Sequence, residues 1–294
     1  MAARETGRFW GIAFAAGLAA IAIAALIFSI PGGNADKQPL RVFCGAASKP
    51  AMEECAVAFE KKTGVGVELQ FGGSGTMLSQ LKMAKRGDIF IPGSPDYMAK
   101  AKREGVVDPD KVKILVYLVP AILVQKGNPK GIESLDVLAE PGITVGIGNP
   151  EAVCVGLYAV EVLERSGLLE KAGKNVAVHA ESCSKTASLI VMKKVDAIIG
   201  WRVFSRWNPD AIDAVLLDPG RIPRLSYIPA GICTTSQDPQ RAEQFIEFLI
   251  SSEGARIFGK WGYIATEQEA RKFAPMAQVG GEYELPAGYR NLTD

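Results

Sequence analysis

Gly72, Gly73, Ser74 and Gly75 stand between an apolar run with strand character and a run with helical character, in the stretch FGGSGTMLSQ. The first N–H groups of a helix have no partner within it, and the aligned peptide dipoles place partial positive charge there. A small anion is the ligand such a turn favours. The turn is not a nucleotide loop: no Gly-Lys-Ser/Thr follows it, and its glycines lack dinucleotide-fingerprint spacing.

Five cysteines, Cys44, Cys55, Cys154, Cys183 and Cys233, are the second chemical set. Exported proteins pair their cysteines, and an odd number leaves one over. Cys55 falls in a helical stripe with Met52, Ala56 and Phe59 and reads as core. Cys44, Cys154 and Cys183 fall in or beside loops at strand ends. Three readings of them stand: a Cys154–Cys183 disulfide, thiols for a soft metal or metalloid, or small packing residues. His179 is the single histidine and reads as a surface or strand-edge residue. With no C-x-x-C or H-x3-H spacing, no metal site is expected. No G-x-S-x-G elbow occurs. Glu53 and Glu54 suit a helix N-terminus, and Asp88, Asp96 and Glu104 suit caps and solvated faces. Nothing requires an enzyme or a cofactor.

The elements that must position these residues alternate. From residue 40 onward, short apolar strands are followed by amphipathic helices, as in LRVFCGA then PAMEECAVAFEKKTG. Repeated strand–helix units predict α/β lobes, each a mostly parallel sheet flanked by helices. The run ILVYLVPAILVQKG reads as two buried strands broken at Pro120, a crossing between two lobes. The expected boundaries are 38–118 for lobe 1, 119–224 for lobe 2, 225–275 for a return to lobe 1, and 276–294 for a polar tail. Residues 239–254 read as one amphipathic helix. Ligands of open α/β sheets bind beyond the carboxyl ends of the strands. Those ends carry loops 44–49, 72–76, 148–156 and 180–185, and the strand end at Trp201.

Residues 1–37 differ in kind. Arg4 and Arg8 precede an uncharged apolar run over residues 9–30. That describes a signal peptide or a membrane anchor. The run's length favours the anchor at about 1.5 Å per residue, whereas Gly33, Asn34 and Ala35 would suit a signal peptidase. The remainder is then expected outside the cytoplasm, in the periplasm. Across all 294 residues, 33 Lys and Arg balance 32 Asp and Glu with no basic stripe, which argues against a nucleic-acid partner.

In order along the chain, LRVFCGAASKPAMEE, FGGSGTMLSQ, GDIFIPGSPDYM, GNPEAVCVGLYAVEVLERSGL, VDAIIGW and FIEFLISSEGARIFGKWGY resemble the molybdate- and tungstate-binding proteins of bacterial ABC importers. The resemblance covers roughly residues 40–263. It implies the two-lobed type II periplasmic binding-protein fold, with a tetrahedral oxyanion held in the cleft by serine hydroxyls, backbone N–H groups and a tyrosine hydroxyl. Transferred position by position, one family serine falls on Ser74, flanked by Gly73 and Gly75. The other falls on Ala47, with a hydroxyl one place later at Ser48. The backbone donors fall on Val155 and near Cys183, and the tyrosine position falls on Trp201. Lys49 and Arg202 stand beside these places and would add positive charge. The resemblance implies a monomer that delivers its oxyanion to a membrane permease. A sensory or scavenging module, anchored to the membrane and taking another oxyanion or a thiophilic ligand, is the alternative.

Overall fold

The computed structural model describes residues 38–287 and 289. The N-terminal segment read as a signal or anchor therefore lies outside the described residues. No helix among the described residues is long and apolar enough to cross a membrane.

Two sheets flanked by helices form the architecture. The first contains β1 (Leu40–Gly45), β2 (Val67–Gly72), β3 (Ile89–Ile91), β4 (Val107–Leu118), β10 (Arg224–Cys233) and β11 (Gln278–Val279). Its order is β11-β10-β3-β1-β2, with β4 pairing β10 off that path. The second contains β5 (Pro120–Gln125), β6 (Val145–Gly148), β7 (Val176–Ala180), β8 (Ala197–Trp201) and β9 (Ile212–Leu216), in the order β7-β6-β8-β5-β9. The helices are α1 (Lys49–Thr63), α2 (Ser74–Ala84), α3 (Pro95–Arg103), α4 (Cys154–Arg165), α5 (Leu169–Gly173), α6 (Cys183–Val191), α7 (Phe204–Trp207), α8 (Pro239–Ile250), α9 (Ser252–Lys260) and α10 (Glu267–Arg271).

Sequence dictates much of this directly. In β1 all residues except Arg41 are buried, as a strand covered on both faces requires. α1 carries Pro50 in its first turn and Lys61 and Lys62 in its last, and Gly64 ends it at φ 70°. That φ is left-handed, where only glycine is unstrained. Met52, Cys55, Ala56 and Phe59 form its buried stripe, as their spacing predicts.

Three expectations need correction. The sheets are mixed rather than mostly parallel: β10 runs antiparallel to β3 and β4, and β5 antiparallel to β8 and β9. These strands lie where the chain crosses between sheets, with only Val119 between β4 and β5; no crossover helix turns them parallel. Residues 239–254 form two helices, because Ser251 leaves helical backbone at ψ 169° and its Oγ caps α9 by accepting from the Gly254 N–H. The segment read as a polar tail supplies β11, which pairs with β10.

That same segment closes over a buried charge cluster. Arg224, at the start of β10, donates from Nε to Glu161 of α4 at 2.7 Å and lies 3.1 Å from Asp96 of α3. All three side chains are at most 8% exposed. Arg224 also donates to the Gly281 carbonyl, and Asp96 accepts from the Tyr283 N–H. Burial pushes the Glu161 carboxyl above the ordinary range; Arg224 offsets part of the rise and Asp96 adds to it. A carboxyl whose folded pKa is raised binds more protons folded than unfolded in that window, so its contribution to stability falls as pH rises. Arg224→Met should cost about 3–5 kcal/mol near neutral pH, because two carboxylates lose their buried cation. The deficit should narrow as pH falls through the raised Glu161 pKa; urea unfolding across a pH series measures it, and a pH-independent deficit would contradict this account.

Candidate functional site

Loops at the carboxyl ends of both sheets meet in one seam, the place an α/β architecture reserves for ligands. The turn before α2 lies against the loops before α4 and α6. Gly75 N–H donates to the Ala152 carbonyl at 2.9 Å. A Cβ added to Gly73 would lie 2.7 Å from the Ala152 oxygen and 2.9 Å from the Glu181 oxygen. Gly73 is there because nothing larger fits.

A second close approach fixes the centre. A Cβ on Gly93, in the loop after β3, would fall 2.5 Å from Cys154 Sγ, 2.8 Å from Ala47 Cβ and 3.6 Å from Ser74 Oγ. Cys154 Sγ and Cys183 Sγ are 3.5 Å apart. The starts of three helices, α2 at Ser74, α4 at Cys154 and α6 at Cys183, therefore converge within a few ångströms.

The expected residues divide into two groups. Ser74, Ala47, Val155, Cys154, Cys183 and Trp201 are at most 1% exposed and belong to the seam or its wall. Ser74 Oγ accepts from the Gly93 N–H at 2.9 Å, which leaves the hydroxyl proton to donate. Ser48 is buried as well, but its hydroxyl donates to Gly45 O within its own turn. Trp201 stacks edge-on against Tyr158, with ring centroids 4.9 Å apart, and its indole N–H completes no hydrogen bond.

The charged pair expected beside the site is elsewhere. Arg202 donates from Nη2 to the Gly262 carbonyl and lies 5.0 Å over the Phe273 ring. Because strand residues alternate sides, the residue after Trp201 leaves the seam. Lys49 is 44% exposed and pairs with Glu53 at 3.8 Å. Its ammonium also lies 5.8 Å over the Phe71 ring, at the edge of the turn rather than within it.

Both seam thiols are free, so the disulfide reading is not realised in this arrangement. Burial pushes the Cys183 thiol well up and Cys154 beside it adds to the rise. The Val155 N–H and the Trp201 indole N–H, turned toward that sulfur, offset part of it. The indole's approach falls short of hydrogen-bond geometry. Cys44 sits inside β1 opposite Phe71 and Ile91, with its thiol raised by burial alone. Cys55 is packed in α1, its thiol pushed up to about 12 by burial. His179 is exposed on edge strand β7, with Nε2 3.2 Å from the Tyr289 hydroxyl. No group of three or more potential metal ligands occurs among the described residues.

Sequence reasoning missed Gly93, Tyr97 and Tyr263. Tyr263 donates its hydroxyl to Ala47 O at 2.6 Å, tying the far end of the chain to the seam wall. Tyr97 is 7% exposed, and a Cβ on Gly75 would lie 3.0 Å from its ring. Burial raises its hydroxyl pKa first, with Cys154, Asp96 and Cys183 adding to it. Only the position of Gly93 and Tyr97 just past a strand end hinted at these roles.

A family model for bacterial extracellular solute-binding proteins matches residues 40–264. The chain belongs to that family. Among solute-binding relatives, a binding protein of Haemophilus influenzae is 28% identical over 225 residues, covering 76% of this chain and 90% of the relative. The molybdate-binding protein ModA of Escherichia coli is 29% identical over 251 residues, covering 82% and 95%. The periplasmic molybdate-binding protein of Azotobacter vinelandii superposes with TM-score 0.68 at 21% identity, covering 78% of this chain and all of that one, a likeness of fold. These relatives are binding proteins, not enzymes.

The tight packing of the seam depends on Gly93, since any side chain there would meet Cys154 Sγ and Ala47 Cβ. Gly93→Ala should force the two sets of loops apart, since its methyl group would fall 2.5 Å from Cys154 Sγ across the seam and Ala47 Cβ, 2.8 Å away on its own side, blocks retreat, at a cost of about 1–3 kcal/mol. Small-angle scattering should show a larger radius of gyration. An unchanged radius with unchanged stability would show that the neighbours accommodate the methyl group.

Proposed function

We propose that this chain is the extracytoplasmic solute-binding component of an ABC importer, capturing a small tetrahedral oxyanion of the molybdate or tungstate type between its two lobes. It acts as a monomer and hands the oxyanion to a membrane permease. The observation that carries the reading is the convergence of three helix starts on the buried Ser74 hydroxyl. Helix starts bring N–H groups and dipole ends to one point without a counter-charge. The Escherichia coli and Azotobacter vinelandii relatives, molybdate-binding proteins by name, support the oxyanion class.

Capture on this reading is an exchange of partners. When the lobes part, the Gly75 N–H leaves Ala152 O and faces the incoming oxyanion with the Ser74 hydroxyl, while the Val155 N–H, beside Cys183 on the opposite lobe, turns to it from the other side. Closing then excludes water, which strengthens each bond. Release follows when the permease holds the open form. Trp201 supplies an indole N–H at the place the family gives to a tyrosine hydroxyl.

Titration calorimetry with molybdate, tungstate, sulfate and phosphate tests the reading: heat of binding with one of them is expected, and none with any would overturn it. Ser74→Ala should weaken that binding by roughly 1.5–3 kcal/mol, the worth of a hydrogen bond to a charged group, and should separately lower stability by about 1–3 kcal/mol because the buried Gly93 N–H loses its acceptor. Equal affinity in the variant would remove this turn from the site.

A further inference from the structure

The seam has lost hydroxyls and gained sulfur: Ala47 and Trp201 stand at two of the positions that the family resemblance gives to hydroxyl donors, and Cys154 and Cys183 put two thiols at the same place. We propose that the Cys154–Cys183 pair captures a trivalent metalloid oxyacid of the arsenite type as a dithiolate. The proposal rests on the reading of the seam as a ligand cleft, because thiols only 1% exposed are reached only when the lobes part.

Four observations carry it. The sulfurs are 3.5 Å apart. Taking a sulfur bond of about 2.3 Å, the length thiolate makes with zinc, a centre bound to both would see them at about 100°. That angle suits a pyramidal three-coordinate centre, whereas a linear two-coordinate cation would need the sulfurs about 4.6 Å apart at the same bond length. A tetrahedral cation would need further protein ligands, and no cluster of three or more occurs among the described residues. A metalloid oxyacid brings its own third ligand, an oxygen. Finally, the Trp201 indole N–H is fully buried, turned toward Cys183 and without a partner; with Ser74 Oγ at the other side of the pair, it can hold that oxygen.

The chemistry balances without an oxidant or reductant. Two As–O bonds of As(OH)3 break and two As–S bonds form. Each thiol proton leaves on a departing hydroxyl as water, giving (RS)2As–OH and two waters with arsenic still trivalent. Acid, thiols and adduct are all neutral, so no charge is buried, in keeping with a seam whose neighbouring Arg202 is turned to the Gly262 carbonyl. Soft trivalent arsenic also prefers sulfur to oxygen, the preference that thiolates show for soft centres generally.

The test uses the reduced full chain and sodium arsenite, read by native mass spectrometry and by alkylation mapping. One arsenic per chain is expected, with Cys154 and Cys183 protected from iodoacetamide. Cys154→Ser and Cys183→Ser should each weaken the adduct by about a hundredfold or more, the loss of a second tethered arm. Cys55→Ser should not. Absence of an adduct, protection of other cysteines, or an adduct that survives both seam substitutions overturns the proposal. Titration of the same preparation with molybdate, tungstate, sulfate and phosphate separates the two readings: arsenite capture without binding of any of the four removes the oxyanion class but upholds the thiol site, and binding of one of them without arsenite capture does the reverse.

Discussion

Helix starts cannot satisfy their own N–H groups, and in this fold three of them are buried against one another. An unpaired buried donor costs roughly 1–3 kcal/mol, so each start has found a substitute acceptor, across the seam for α2, on the neighbouring helix start for α4, and in its own Ser182 hydroxyl for α6. The Gly75 N–H takes the Ala152 carbonyl, and the Val155 N–H turns on the Cys183 sulfur. These substitutes are neutral and contribute only about 0.5–1.5 kcal/mol apiece net. A charged or covalently bound ligand outbids them, and water does so once the loops separate. The seam is therefore closed by bonds weak enough to exchange, which suits the capture and release proposed for it.

Exchange at the seam requires that the lobes stay aligned while it opens. Val119 alone separates β4 from β5, so the first crossing is short. The second passes into β10, where Arg224 binds Asp96 on a helix of one sheet and Glu161 on a helix of the other. A buried ion cluster costs desolvation and contributes little net stability. What it does supply is geometry, since the guanidinium must meet both carboxylates at once. The Tyr158 ring lies 4.4 Å below that guanidinium and also stacks on Trp201, so the alignment cluster and the seam share a side chain.

Local signals made most elements legible. Apolar runs, Pro50, Lys61, Lys62 and Gly64 placed β1 and α1 because burial and capping act within a few residues. Strand direction was less legible: the break at Pro120 showed two strands in succession, but nothing in the β5 or β10 runs says which neighbours they pair with or in which direction. The break at Ser251 was hidden because both flanking segments are amphipathic helix. In the site, Ser74 stood out by its glycines, but Arg202 and Lys49 misled, since adjacency in sequence says nothing about which side of a strand or helix faces the seam. Gly93 was invisible for the opposite reason. A glycine needed for a close approach between distant segments has no local signature beyond its place just past a strand end.

Seam composition, rather than fold, sets what the protein prefers to hold. A compact dianion is stabilised by strong donors, and this seam offers the Ser74 hydroxyl, the Trp201 indole and backbone N–H groups. An S–H group is a weak donor, so two thiols do little for a hard oxyanion and bulk that could have been hydroxyl is spent on sulfur. The same substitution turns a site that only donates hydrogen bonds into one that can form bonds. Selectivity then follows from hardness: the backbone donors are common to any ligand with oxygen at its surface, while residues 47, 154, 183 and 201 decide whether oxygen or sulfur makes the stronger contact. The helix starts supply the first half of that statement whatever the ligand, and only the side chains of this chain bear on the second.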